Sequence, residues 1–113
     1  MEVTIILETL KKNYQFRSVY NKGKSIANRH LVMYVIKNGS QSNRIGISVS
    51  KKVGKSVVRS RVTRLIKENY RLSELNLKQG FDIVIIARVV SSNSSFDEIQ
   101  KSFHHLLKKH SLL

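Results

Sequence analysis

Cysteine and proline are absent from these 113 residues, and acidic side chains are scarce, 7 against 21 lysines and arginines. Without cysteine there is neither a disulfide framework nor a thiolate metal site, and a reducing cytosol suits the chain. Without proline, glycines and polar clusters have to punctuate the chain, and the one low-complexity stretch is Ser91 to Ser95. Long apolar runs are missing too. Val3 to Leu7 is far too short to span a bilayer and lacks the basic leader and cleavage signature of a secretory peptide. The expectation is a soluble cytoplasmic protein with no membrane partner. With 41% hydrophobic residues a chain of this length can bury one modest core, so residues 1–113 read as a single domain, with 1–9 a candidate disordered tail.

What the chain has in excess is positive charge, formally +14. Its distribution is lopsided: no acid falls between Glu8 and Glu68, whereas fifteen of the 21 basic residues do. Crowding uncompensated cations into a small fold costs self-repulsion, and a polyanion relieves it, gaining affinity from the counterions released. Nucleic acid is the expected partner. Charge alone does not separate RNA from DNA.

The periodicity sorts the chain into elements. Phe16, Val19 and Tyr20 stand at i, i+3 and i+4 after a candidate Asn13 cap, with Gly23 placed to end a short helix. Ser25 to Lys37 reads as a short strand or bend leading into a longer strand, with Val32 and Tyr34 on one face and Leu31, Met33 and Val35 on the other. Arg44 to Ser50 alternates, Ile45, Ile47 and Val49 towards a core and Arg44, Gly46, Ser48 and Ser50 on a small polar face. After Gly54 and a candidate Ser56 cap, a helix runs from about Val57 to Leu72. Its apolar arc of roughly 100° holds Val58, Val62, Leu65, Ile66 and Asn69, and another arc of about 120° holds Arg61, Arg64, Lys67 and Arg71. Phe81 to Ala87, nearly all apolar, suits an interior strand covered on both faces. Ser95 to Glu98 forms a capping box for a last helix that buries Phe96, Ile99, Phe103, Leu106 and Leu107. Strand, helix, strand in the second half implies a parallel pair, hence a mixed, four-stranded α+β (α/β sandwich) fold.

The segment Ser48 to Arg71 is the most informative. Arg59 and Arg61 can fork onto phosphate oxygens, and the helix N-terminus behind Gly54 and Lys55 adds free N–H donors. The strings VSKKVG, the RSR of Arg59 to Arg61, RLIKE at Arg64 to Glu68, IANR at Ile26 to Arg29 and IIAR at Ile85 to Arg88 resemble, in order and spacing, the bacterial ribonuclease P protein family. The resemblance covers about residues 10 to 110.

That resemblance implies the order α-β-β-β-α-β-α with a left-handed crossover, similar to a domain of a ribosomal protein. It implies that the catalyst is an RNA subunit, with magnesium bound mainly by that RNA, and that the protein helps remove the 5′ leader of precursor tRNA. Catalytic residues and a metal site on the protein itself are not expected. Carried onto this chain, the residues facing the RNA subunit are Lys51, Lys52, Lys55, Arg59, Ser60, Arg61, Arg64, Lys67 and Arg71. Those of the leader cleft are Phe16, Tyr20, Val32, Tyr34, Arg44 and Ser48. Two positions depart from the family pattern. Ser60 replaces the usual asparagine, offering a hydroxyl where an amide has two donors and an acceptor. Thr63 stands where a lysine is common. Weaker contact is the expected consequence of each.

The cleft has support from chemistry, because aromatic faces beside a basic groove hold single-stranded RNA of any sequence, and the small face of Gly46 and Ser48 would admit a close approach. The competing reading is that Phe16, Val19 and Tyr20 form the core stripe of a helix and nothing more. His104, His105 and His110, with Lys108 and Lys109, suggest acid-base cleavage, but adjacent histidines diverge by about 100° on a helix. They read as surface histidines. Two other partner classes remain: a ribosome-associated or general RNA-binding module, and a duplex DNA binder. The latter is disfavoured because the basic stripe carries no base-reading Asn or Gln.

Overall fold

The computed structural model describes residues 9–113. Seven regular elements follow one another as α1 (Asn13–Lys22), β1 (Lys24–Ala27), β2 (Leu31–Lys37), β3 (Arg44–Ser48), α2 (Ser56–Ser73), β4 (Phe81–Ala87) and α3 (Phe96–Lys109). This is the expected order. Short 3-10 turns at Glu74–Asn76 and Val89–Asn93 flank β4. Residues 1–8, including the Val3 to Leu7 run and most of the segment read as a tail, lie outside the described residues. Thr9 makes a parallel bridge to Ile45, and the Leu10 N–H donates to the Ile45 carbonyl at 2.8 Å.

The sheet order is β1-β2-β4-β3, antiparallel at β1/β2 and β2/β4 and parallel at β3/β4. β4 is therefore interior, as its apolar run required, and β3 is an edge strand joined to β4 through α2. Strand parity divides the molecule into two layers of side chains. Ile83, Ile85 and Ala87 of β4 join Leu31, Met33, Val35 and Ile45 beneath α2 and α3, where Val62, Ile66, Tyr70, Ile99, Phe103, Leu106 and Leu107 complete the main core. Val84 points the other way, into a smaller cluster with Leu10 and Val19, to which Phe16, Tyr34, Ile36 and Ile86 add partly buried surface. Each aliphatic side chain so buried contributes about 1.5–3 kcal/mol. Among the described residues, α1 is thus the one helix on that face of the sheet.

Several boundaries differ from the sequence reading for local reasons. Asn13 is the first residue of α1 and not its cap; the Gln15 Oε1 accepts from the N–H groups of Lys11 and Lys12 at 2.9 and 3.0 Å. Ser56 likewise begins α2, whose cap position is Lys55. Gly23 does end α1, in an extended conformation whose N–H reaches the Val19 carbonyl; a Cβ there would stand 2.6 Å from that oxygen. The Ser25 to Lys37 stretch breaks at Asn28, whose Oδ1 accepts from the N–H groups of His30 and Leu31 and turns β1 into β2. The α3 capping box is formed, Ser95 and Glu98 exchanging bonds of 3.0 and 3.2 Å. Phe96 is only partly buried, whereas Ile99, Phe103, Leu106 and Leu107 are fully buried.

Candidate nucleic-acid interface

Two depressions lie on either side of the β3 edge. The first, of about 410 Å³, is lined by Asn13, Phe16, Arg17, Tyr20, Ile47 and Ser48. Phe16 and Tyr20, one helical turn apart, bring their rings to 6.4 Å, and Tyr20 meets Tyr34 of β2 edge to face at 5.1 Å. Burial pushes the Tyr20 phenol above its ordinary 10.0, and a hydrogen bond from Ser48 partly offsets this. Val32 lies on the same sheet face as Tyr34, two residues along β2, and is half-buried. Phe16, Tyr20, Tyr34 and Ser48 are therefore brought together as the leader-cleft reading required. Val19 is the residue of α1 that is buried outright, so the helix splits its stripe between core and cleft.

Two expected cleft features come out differently. Gly46 does not leave an opening for a ligand backbone. It is buried beneath Phe16, and a Cβ on it would stand 2.6 Å from the Phe16 Cε1. Arg44 sits at the far end of β3, opposite Asp82 in the parallel register, and donates to it through Nε at 2.8 Å and Nη2 at 2.6 Å. Its guanidinium is held by the fold.

The second depression, about 800 Å³, runs between β3 and α2 and is lined by Ile47, Val49, Ser56, Val57, Arg59, Ser60, Thr63, Arg64 and Lys67. Arg64 and Lys67 are exposed, Arg59 is half-buried with its Nε on the Gly54 carbonyl at 3.2 Å, and Ser60 is exposed in the wall. The Thr63 hydroxyl turns back to the Arg59 carbonyl at 2.8 Å, so it offers the groove mainly a methyl. The buried Val53, whose N–H reaches the Ser50 carbonyl, pins the loop that carries Lys51, Lys52 and Lys55 outwards. Cations thus line both depressions, and among the described residues neither lining includes a carboxylate.

The basic stripe of α2 does not stay in one piece. Arg61 is half-buried on the flank away from the groove and donates to the Ser94 carbonyl at 2.6 Å. Arg71 pairs with Glu68 at 2.7 Å on the surface, where solvent screens the contact. The sequence reading missed Arg17 and Ile47. Arg17 was findable, since Asn13, Phe16, Arg17 and Tyr20 form an i, i+3, i+4, i+7 stripe. Ile47 was read as core, but its place on an edge strand puts it in both depressions.

Two of the C-terminal histidines have partners in the fold: His105 Nδ1 lies 3.3 Å from the Asn28 amide, and His110 Nε2 lies 2.9 Å from the Met33 carbonyl oxygen. Three carboxylates are engaged too, Asp82 by Arg44, Glu68 by Arg71 and Glu98 by Ser95. Among the described residues no group of three or more His, Asp or Glu comes together to hold a metal.

An aromatic cleft and a cation-lined groove, joined across the edge of a mixed sheet, are features of an α+β RNA-binding protein. The comparisons with known proteins narrow that class. The family model described as Ribonuclease P matches residues 7–111. The ribonuclease P protein component of Alkaliphilus oremlandii is 50% identical over 107 residues, covering 95% of this chain and 94% of its own. Among solved structures, the Staphylococcus aureus RNase P protein superposes with a TM-score of 0.88 at 37% identity, covering 95% of this chain and 98% of that one. A mutant of the S. aureus protein described as having defective mRNA degradation activity superposes with a TM-score of 0.87 at 38% identity, covering 93% and 89%. The chain belongs to the ribonuclease P protein family. Its role is the family's: it is the protein part of an RNA–protein holoenzyme that cleaves precursor tRNA to form the mature 5′ end.

Proposed function

We propose that the two depressions divide the RNA contacts of the holoenzyme. The groove of α2, with Arg59, Ser60, Arg64 and Lys67, and the adjoining Lys51, Lys52, Lys55 and Arg71, takes phosphates of the catalytic RNA. The cleft of Phe16, Tyr20, Val32, Tyr34 and Ser48, with Arg17 at its mouth, takes the 5′ leader of precursor tRNA. The observation that carries this reading is the shared wall at Ile47, which makes the aromatic cleft and the basic groove one surface across the β3 edge. Stacking tolerates any base, as a leader of variable sequence demands, and the cations offset phosphate repulsion between the two RNAs. In this reading Arg44 is held by Asp82 and does not grip the leader.

Magnesium belongs to the RNA in this scheme. The protein lowers the magnesium requirement by screening phosphates, in the cytoplasm where precursor tRNA is made. Reconstitution with a bacterial ribonuclease P RNA at low magnesium tests the reading. Addition of the protein is expected to restore cleavage of precursor tRNA and to tighten precursor over mature tRNA, whereas the protein alone leaves both precursor tRNA and an mRNA intact. RNA-free cleavage at the mature 5′ end would overturn the division of labour; tight ribosomal RNA binding without stimulation would favour a general RNA-binding module.

A further inference from the structure

Arg61 lies in the most basic stretch of the chain yet points away from the groove its neighbours line. Its Nη2 donates at 2.6 Å to the carbonyl of Ser94, a residue only 2% exposed. The Ser94 hydroxyl lies 3.2 Å from the Val90 carbonyl oxygen and 2.9 Å from His30 Nδ1. From His30 the connections continue into the β1–β2 turn. The His30 N–H goes to Asn28 Oδ1 at 3.2 Å, and that oxygen also takes the Ser102 hydroxyl of α3 at 2.6 Å. Asn28 Nδ2 returns a bond to the Ser102 carbonyl at 2.9 Å, and Arg88 donates to the Asn28 carbonyl at 2.8 Å. Three separate strings of the sequence, IANR, RSR and IIAR, thus converge on a polar junction that ties α2 to the turn and to α3.

The junction supplies what the core does not. Apolar packing of Val62, Ile66 and Tyr70 holds α2 against the sheet, but hydrophobic burial is non-directional and resists rotation of a helix weakly. A charge-assisted bond to a buried carbonyl is directional. We propose that Arg61 is a positioning residue: anchored on Ser94, it sets the rotation of α2 so that Arg59, Arg64 and Lys67 meet RNA phosphates, and it makes no phosphate contact of its own. This rests on the groove being the face for the RNA subunit.

The test measures affinity for a bacterial ribonuclease P RNA over a range of salt concentrations, for variants verified as folded by circular dichroism. Arg64→Ala is the control for the groove itself and should reduce the slope of log affinity against log salt by about 0.7–0.9. Arg61→Met should weaken binding on the order of tenfold with the slope unchanged. Arg61→Gln, neutral but still able to donate to the Ser94 carbonyl, should recover part of that loss. Ser94→Ala should weaken binding in part and add little on top of Arg61→Met, because coupled positions are not additive. A slope reduced in Arg61→Met as in Arg64→Ala, additive losses with Ser94→Ala, or lowered melting with undiminished affinity would each overturn the proposal. Loss of the Arg64→Ala effect would instead sink the groove reading, leaving the Arg61 bond a feature of the fold.

Discussion

Phe16 lies so close over Gly46 that a β-carbon on the glycine would stand 2.6 Å from the ring's Cε1 and 2.8 Å from its Cζ. The smallest residue of β3 is therefore the seat of the aromatic ring that walls the cleft. Gly46→Ala should displace Phe16 and cost about 1–3 kcal/mol of stability by overpacking. Chemical denaturation reads the loss, and precursor tRNA affinity should fall with it. An alanine variant with unchanged stability and unchanged leader discrimination would contradict this seating.

Removing the ring has the complementary effect. Phe16→Ala should lose about 1–3 kcal/mol of precursor tRNA affinity, the range for base–aromatic stacking, with mature tRNA affinity little changed. Equal losses for the two tRNAs, measured on the reconstituted holoenzyme, would count against the cleft as the leader site.

Arg44 and Asp82 pair across the parallel β3/β4 register, with the Asp82 side chain only 10% exposed. Arg44→Met should leave that carboxylate its bond from Asn38 Nδ2 at 3.0 Å. The expected cost is about 1–3 kcal/mol of stability, the penalty of an under-paired buried polar group. Leader discrimination by the folded variant should persist, which precursor and mature tRNA titrations would check.

His110, at the end of α3, donates from Nε2 to the Met33 carbonyl, and burial holds its pKa below the ordinary 6.5, with the Met33 bond opposing and Lys24 adding to the depression. A histidine depressed in the folded state takes up its proton more readily when unfolded, so its contribution is intact above pH 6.5 and declines as pH falls below that value towards the depressed folded pKa. Melting temperature should drop over that window, and His110→Gln should flatten this part of the profile. An identical pH dependence in the variant would exclude His110 as its source.

Much of the fold was legible because it is written in local periods. The alternation at Ile45 and Ile47, the apolar run Phe81 to Ala87 and the capping box at Ser95 each place an element without reference to distant residues. That Phe16 and Tyr20 share a helix face was readable on the same terms, although the period alone left core and cleft undivided. Asn13 and Ser56 misled because their residue types suit caps, whereas Gln15 supplies the oxygen at one helix start and no side-chain cap bond forms at the other. The bond of Arg61 to Ser94 was hidden for a different reason. The helical wheel gives its angle relative to Arg64, but not that the Ser94 carbonyl waits on that flank.

Charge sign, helix and strand periods and the segregation of cations into one stretch are properties of neighbours along the chain, and they were enough to indicate a nucleic-acid partner and a mixed sheet. Which cations remain available to that partner is a matter of sheet register and helix rotation. Arg44 is tied up by a residue in β4, Arg61 by a carbonyl beyond it, and Gly46 is filled by a ring from α1, because β3 pairs in parallel beside β4 and α2 packs back across it. Such pairings join positions far apart in the chain, so no local pattern encodes them.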